Sequence, residues 1–181
     1  MVDRLTRAMR RNHGLEHATV AVLRSRRGAD LQIDARAATD GFYVYADVGE
    51  DELLSAADEA LTRLQRGEWS LAVSPNCTTN LAAGGVLAGL STLALARHTA
   101  GWRGLVETIA LILLSTAAAG PLGRWAQQHL TTSPDVSETR ILRVRPGGHG
   151  RGRYLKVETS RRVMRPVVTP SRPPAEAPER P

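Results

Sequence analysis

The chain has 181 residues, a formal net charge of +6 and a single lysine, Lys156, so nearly all of its positive charge is arginine. That length holds one ordinary domain, and a lone cysteine, Cys77, excludes an intramolecular disulfide and every multi-cysteine zinc ribbon. The charge favours an anionic partner, but aromatic residues make up only 4% of the chain, too few for a base-stacking platform, so anionic lipid headgroups rather than nucleic acid are expected.

Asp3 to Arg27 reads as one helix, with Leu5, Met9, Val20 and Leu23 at helical spacing and Gly28 placed to end it. Its start is polar and arginine-rich, unlike a cleaved leader, so the amino terminus is expected to stay where it is made. Two alternating runs follow, "LQIDARA" and "FYVYADV", joined by "ATDG", the pattern of a hairpin turning at Asp40-Gly41. Glu50 to Arg66 repeats the helix period through Leu53, Ala57, Leu61 and Leu64, with acidic residues where they complement the helix dipole. "WSLAVSP" alternates Trp69, Leu71 and Val73 and stops at Pro75, which predicts a strand.

The composition then changes. Leu81 to Ala96 contains no charged residue and Leu105 to Leu122 only Glu107, which predicts a two-helix membrane hairpin bordered by Trp102 and Trp125. Sixteen helical residues reach only about 24 Å, so the first span is short for a hydrocarbon core of about 30 Å. Gly85 and Gly89 form a small-xxx-small pair suited to close helix contact, within the hairpin or between copies in a homo-oligomer. Glu107, an acid within a span, is a functional candidate unless it reaches the interface.

Strand patterning returns in "ETRILRVRP" and "GRYLKVETS", separated by "GGHG". The alternation places Leu142, Val144, Leu155 and Val157 on a core face and Arg143, Arg145 and Lys156 on a cationic face turned to lipid headgroups. The expected fold is therefore α+β: a small mixed sheet with two helices, interrupted by an inserted two-helix transmembrane hairpin. Residues 1–76 form the first part of the domain, 77–129 the hairpin, 130–160 the second part with two strands, and 161–181 a disordered Pro/Arg-rich tail. Only Arg97 and Arg103 lie in the connection between the spans, so the domain and both termini are expected on the cytoplasmic side of the cell inner membrane.

Two motifs carry chemistry. In "RRNHGLEHATVAVL" a helical wheel centred on Leu5 puts Asn12 and Glu16 within about 20° of the centre of the apolar stripe, and His13 and His17 at its border at about 80° and 120°. Arg7, Arg10 and Arg11 fall on the wet side. A buried carboxylate must be neutral, paired, hydrogen-bonded or beside a metal. Glu16 either meets an arginine, with Asn12 completing a polar network, or polarises a metal-bound water while His13 and His17, one turn apart, hold the ion, most plausibly zinc. Gly14 weakens the helix by about 1 kcal/mol, which points to close packing there. In "SPNCTTN", Thr78 or Thr79 could cap the next helix; alternatively Asn76 and Cys77 face the first motif, with Cys77 the best third-ligand candidate. The polar residues to follow are Asn12, Asn76, Thr79 and Asn80.

"NHGLEHAT", "PNCTTN" ahead of the apolar runs, and "TTSPD" after them together resemble a family of bacterial membrane proteins classified only as a domain of unknown function. The resemblance covers the chain to about Val144; Thr78 stands where that family's second motif has glycine. It implies membrane location and marks the two motifs, but no activity. H-x-x-E-H by itself also resembles the inverzincin metallopeptidase motif. Two functions remain: a non-catalytic membrane scaffold or accessory subunit with a metal site at the cytoplasmic membrane face, favoured on base rates, and a zinc-dependent, peptidase-like hydrolase in which Glu16 is catalytic.

Overall fold

A computed structural model describes residues 2–75, 77–95, 102–148 and 153–161. Helix α1 (Val2–Arg27) leads to strands β1 (Asp34–Ala38) and β2 (Gly41–Tyr45), and helix α2 (Glu50–Gln65) to a short 3₁₀ turn at Trp69–Ala72. Helices α3 (Thr78–Leu95) and α4 (Trp102–Ala126) follow; α4 runs into a π turn at Gln127–Thr131, and β3 (Thr139–Gly147) and β4 (Tyr154–Arg161) complete the domain. Asn76, the connection 96–101 and the tail from residue 162 onward lie outside the described residues, as does the Thr79 side chain.

The strands form one sheet in the order β1-β2-β4-β3, antiparallel throughout, so the expected mixed sheet is corrected to an antiparallel one. Helices α1 and α2 pack against each other and against one face of it. Between them lie Leu15, Val22, Leu23, Leu53, Leu64, Phe42, Val44 and Val157, all at most 1% exposed. Ala56, Ala57 and Ala60 on α2 are fully buried, and their small side chains let the two helices approach. The apolar stripe of α1 sits further round than the wheel suggested: Leu5 and Met9 are 49% and 39% exposed, because the first turns of α1 lie at the edge of the core.

Between β1 and β2 the chain turns through Thr39 and Asp40, and Gly41 takes φ 147°, a conformation that favours glycine. A Cβ there would lie 1.9 Å from the Val157 carbonyl oxygen across the β2–β4 pair. Gly41→Ala is therefore expected to cost about 3 kcal/mol or more, read as a lowered thermal midpoint of the purified protein.

"WSLAVSP" is not a strand. Gly67 at φ 95° turns the chain, Trp69–Ala72 winds into the 3₁₀ turn, and the buried residue is Ala72 rather than Leu71, with Trp69 64% exposed. The alternation is short enough to be mimicked by a turn whose one small residue tucks under α1. On β3 a bulge between Ile141 and Arg143 shifts the register, so Ile141 and Val144 pack on the core while Leu142, expected inside, is 59% exposed. On the sheet's other face Arg143 and Arg145 pair with Glu158, and Lys156 pairs with Asp40 and lies over the Tyr43 ring. That face carries ion pairs rather than bare cations.

One helix among the described residues, Gly104–Thr131, is long and apolar enough to cross a membrane; the apolar stretch of α3, Ala82–Leu93, is shorter. This corrects the expected hairpin of two transmembrane helices to one helix of membrane-crossing length beside a shorter apolar one. The two helices run antiparallel: Asn80 lies against Gly123, Gly84 against Ala119, and Ser91 near Ser115. Gly84 and Gly123 are thus the glycines of close contact, whereas Gly85 and Gly89 are exposed with open space where a Cβ would sit. Leu90, Leu93, Leu113 and Leu114 are each about 60% exposed, and Thr92, Thr108 and Thr116 return their hydroxyl hydrogens to backbone carbonyls one turn back.

Candidate metal centre

The middle of α1 holds a run of buried polar residues, Asn12, Glu16, His17 and Thr19, none more than 6% exposed. Two of them are structural ties. Asn12 donates to the Ala38 carbonyl at 2.8 Å and accepts from the Thr159 hydroxyl at 2.8 Å, joining α1 to β1 and β4. Thr19 donates to the Leu15 carbonyl within the helix.

The histidines are held differently. His13 Nδ1 lies 3.0 Å from the Thr131 carbonyl oxygen and His17 Nδ1 2.9 Å from the Ala72 carbonyl oxygen. A carbonyl only accepts, so each Nδ1 carries a hydrogen, and in the neutral ring Nε2 is the atom with the lone pair. The rings meet edge to face with centroids 4.4 Å apart. Cys77, 8% exposed immediately before α3, brings its Sγ to 3.6 Å from His13 Nε2. The helix end beside it favours negative charge on the sulfur.

His13, His17 and Cys77 form a group that could hold a metal ion, with their ligand atoms all within 4.8 Å of one another. Tetrahedral zinc, with Zn–N about 2.05 Å and Zn–S about 2.3 Å, separates nitrogen and sulfur by about 3.6 Å. The His13–Cys77 distance meets that value as it stands. Carbonyl groups behind both imidazoles are the usual means of fixing a ligating histidine.

Glu16 lies between the two histidines in sequence and lines the same cleft. Burial lifts its carboxyl above its ordinary value, while His17 and His13 oppose the shift and the Ala37 N–H adds a hydrogen bond. Among the described residues no ion pair joins Glu16 to an arginine; the groups that favour its charge are the two imidazoles and the Ala37 N–H. For His13, burial resists protonation, but the Cys77 hydrogen bond, the Glu16 charge and the Thr131 carbonyl outweigh it, so the ring holds its proton above its ordinary value.

Two segments that carry no local signature complete the site. The π turn ends α4 one residue wide, with Thr132 donating from both N–H and hydroxyl to the Gln127 carbonyl, and thereby aims Thr131 at His13. The chain then crosses α1: the Ser133 N–H donates to the Arg10 carbonyl, and the Arg10 guanidinium caps the carbonyls of His129 and Thr132. Arg10, expected on the wet face, is half-buried there. A Cβ on Gly14 would come within 2.6 Å of the Ser133 oxygen, which is the close packing its glycine implied. On the other side Gln127, fully buried, accepts from the Ser74 N–H and donates to the Ser74 carbonyl and Asn80 Oδ1, while Asn80 donates to the Pro75 carbonyl. Asn80 is thus part of the clamp on the Cys77 loop. Glu107 is exposed on α4 near its start, at the end remote from this cluster.

The cleft, about 330 Å³ and open to solvent, runs along α1 from Met9 to Arg24 with β1 as its other wall and Cys77 and Thr78 at one side. Fold and site together define a small α+β domain, carrying an apolar helical insertion, with a two-histidine, one-cysteine group at the junction. Residues 8–144 match the family described as a domain of unknown function, DUF6391, and the chain belongs to it. It is 33% identical over 139 residues to an uncharacterized protein of the cyanobacterium Picosynechococcus sp., covering 69% of this chain and 66% of that protein. No solved structure matches the chain.

Proposed function

We propose that the protein is a zinc-dependent hydrolase of the membrane surface, with His13, His17 and Cys77 as ligands and Glu16 as the base. The observation that carries this is that His13, Glu16, His17 and Cys77 line one solvent-open cleft, so a metal on the three ligand atoms would have room beside it for a water. A metal bound there would supply an acidified water and polarise a carbonyl. With such a group bound, Glu16 would serve as the general base toward the attacking water and would return that proton to the departing nitrogen or oxygen. A purely structural site would have its fourth position closed by protein.

Membrane insertion through α4 is part of the proposal. Trp102 and Trp125, 77% and 51% exposed, lie about 34 Å apart along the helix, the spacing of two bilayer interfaces. Because β2 pairs with β4, the segments before α3 and after α4 share one side, so insertion of α4 requires α3 to lie in the bilayer beside it. Arginine-rich segments then favour a cytoplasmic domain at the inner membrane, with Gly85 and Gly89 left open to a second copy.

Metal analysis of protein purified without chelator or affinity histidines tests the site. One equivalent of zinc is expected, falling below a tenth in His13→Ala and His17→Ala. Metal content unchanged by both substitutions would leave a structural polar cluster and favour the scaffold reading.

A further inference from the structure

We infer that Arg24 is the specificity residue of this cleft and that the substrate is a short peptide or acyl-amino acid carrying a free carboxylate one or two residues beyond the bond that is cut; this rests on the hydrolase reading above. Arg24 Nε is buried and has no hydrogen-bond partner among the described residues. An orphaned guanidinium nitrogen of this kind is costly unless something else pairs with it. The residue lines the same cleft as His13, Glu16, His17 and Cys77. Other arginines near the sheet and α2 are already engaged: Arg26 with Glu59, Arg27 with Glu52, Arg63 with Glu68.

Its position sets the ligand's length. Arg24 follows His17 by seven residues, so it lies on the same face of α1 about 10 Å further along the axis. Side chains on a helix lean toward its N-terminus, which is the direction of the histidines from Arg24. The remaining gap fits one or two residues of extended chain at about 3.5 Å each. Val20, Ile33 and Ala35 line the same cleft and offer an apolar surface for the side chain preceding the carboxylate. Asp34 and Arg36 also border the cleft, but they stand 3.9 Å from one another on the exposed rim and largely offset each other. A planar guanidinium reads a carboxylate through two parallel N–H donors, a geometry that a carboxamide or ester cannot return.

The test uses the full chain in detergent, loaded with zinc, and an N-acetyl dipeptide offered either as the free acid or as its C-terminal methylamide. The free acid is expected to be cut with about 10- to 100-fold higher kcat/KM, and Arg24→Gln to erase that preference through KM while zinc content stays at one equivalent. Equal rates for acid and methylamide, or an unchanged preference in Arg24→Gln, would overturn the inference and leave the hydrolase standing. If wild type cuts neither, the hydrolase reading fails, and calorimetric binding of the same free acid decides the remainder: at least tenfold weaker binding by Arg24→Gln supports Arg24 as an anion site, and equal binding removes it.

Discussion

Glu16→Gln is expected to give a protein that folds, holds its zinc and has lost turnover by about 10²- to 10⁴-fold in kcat, the range associated with removing a general base. Glutamine preserves the shape of the side chain and can still accept the Ala37 N–H, so the packing around α1 survives. It also removes a carboxyl whose burial opposes its charge, and the thermal midpoint should hold or rise slightly. The combination separates three roles. Loss of metal with loss of activity would make Glu16 a ligand. Full activity would make it a structural residue and remove the catalytic assignment. Stable, loaded and inactive protein is the signature of the base.

Gln127→Ala is expected to cost about 3–5 kcal/mol of stability and to weaken zinc affinity by about 10- to 100-fold. The first figure follows from three groups, the Ser74 N–H, the Ser74 carbonyl and Asn80 Oδ1, that lose a fully buried partner at once. The second follows because Ser74 opens the turn that ends at Cys77, whose N–H donates to the same Ser74 carbonyl at 3.4 Å. Freeing that turn lets the thiol leave the histidines. Unfolding in denaturant reads the first effect and titration against a competing chelator the second; a stability loss with unchanged affinity would confine Gln127 to holding α4 on the domain.

The polar heart of α1 was legible in the sequence because a helix imposes its period locally, and a glutamate inside an apolar stripe has few explanations. The meeting of "NHGLEHAT" with "PNCTTN" stood as one of two readings of the second motif, beside helix capping, and Cys77 Sγ lies 3.6 Å from His13 Nε2. What could not be read depends on partners far away in the chain. Thr131, which orients His13, is brought there by a π turn that no periodicity marks, and Gln127 looks like one polar residue among several at a helix end. Leu142 followed the strand alternation faithfully and was placed wrongly by one bulge, since an inserted residue inverts the rule for its own position. The "TTSPD" segment stood out only by resemblance, and its use is as the strap across Gly14.

The order of the strands also sets an order of events during synthesis. β4, the last strand, pairs with β2 in the middle of the sheet, with Phe42 opposite Val157, so the core stays open until nearly all of the described chain has left the ribosome. Pairings across such sequence distances are slow, because the entropy of closing the intervening loop is lost before the contacts repay it. Both apolar helices emerge during that interval, ahead of the strand that seals the domain. A nascent chain therefore meets its environment with α3 and α4 first and completes the layer under His13 and Glu16 afterwards, which makes the fate of the helices a precondition of the domain rather than its consequence.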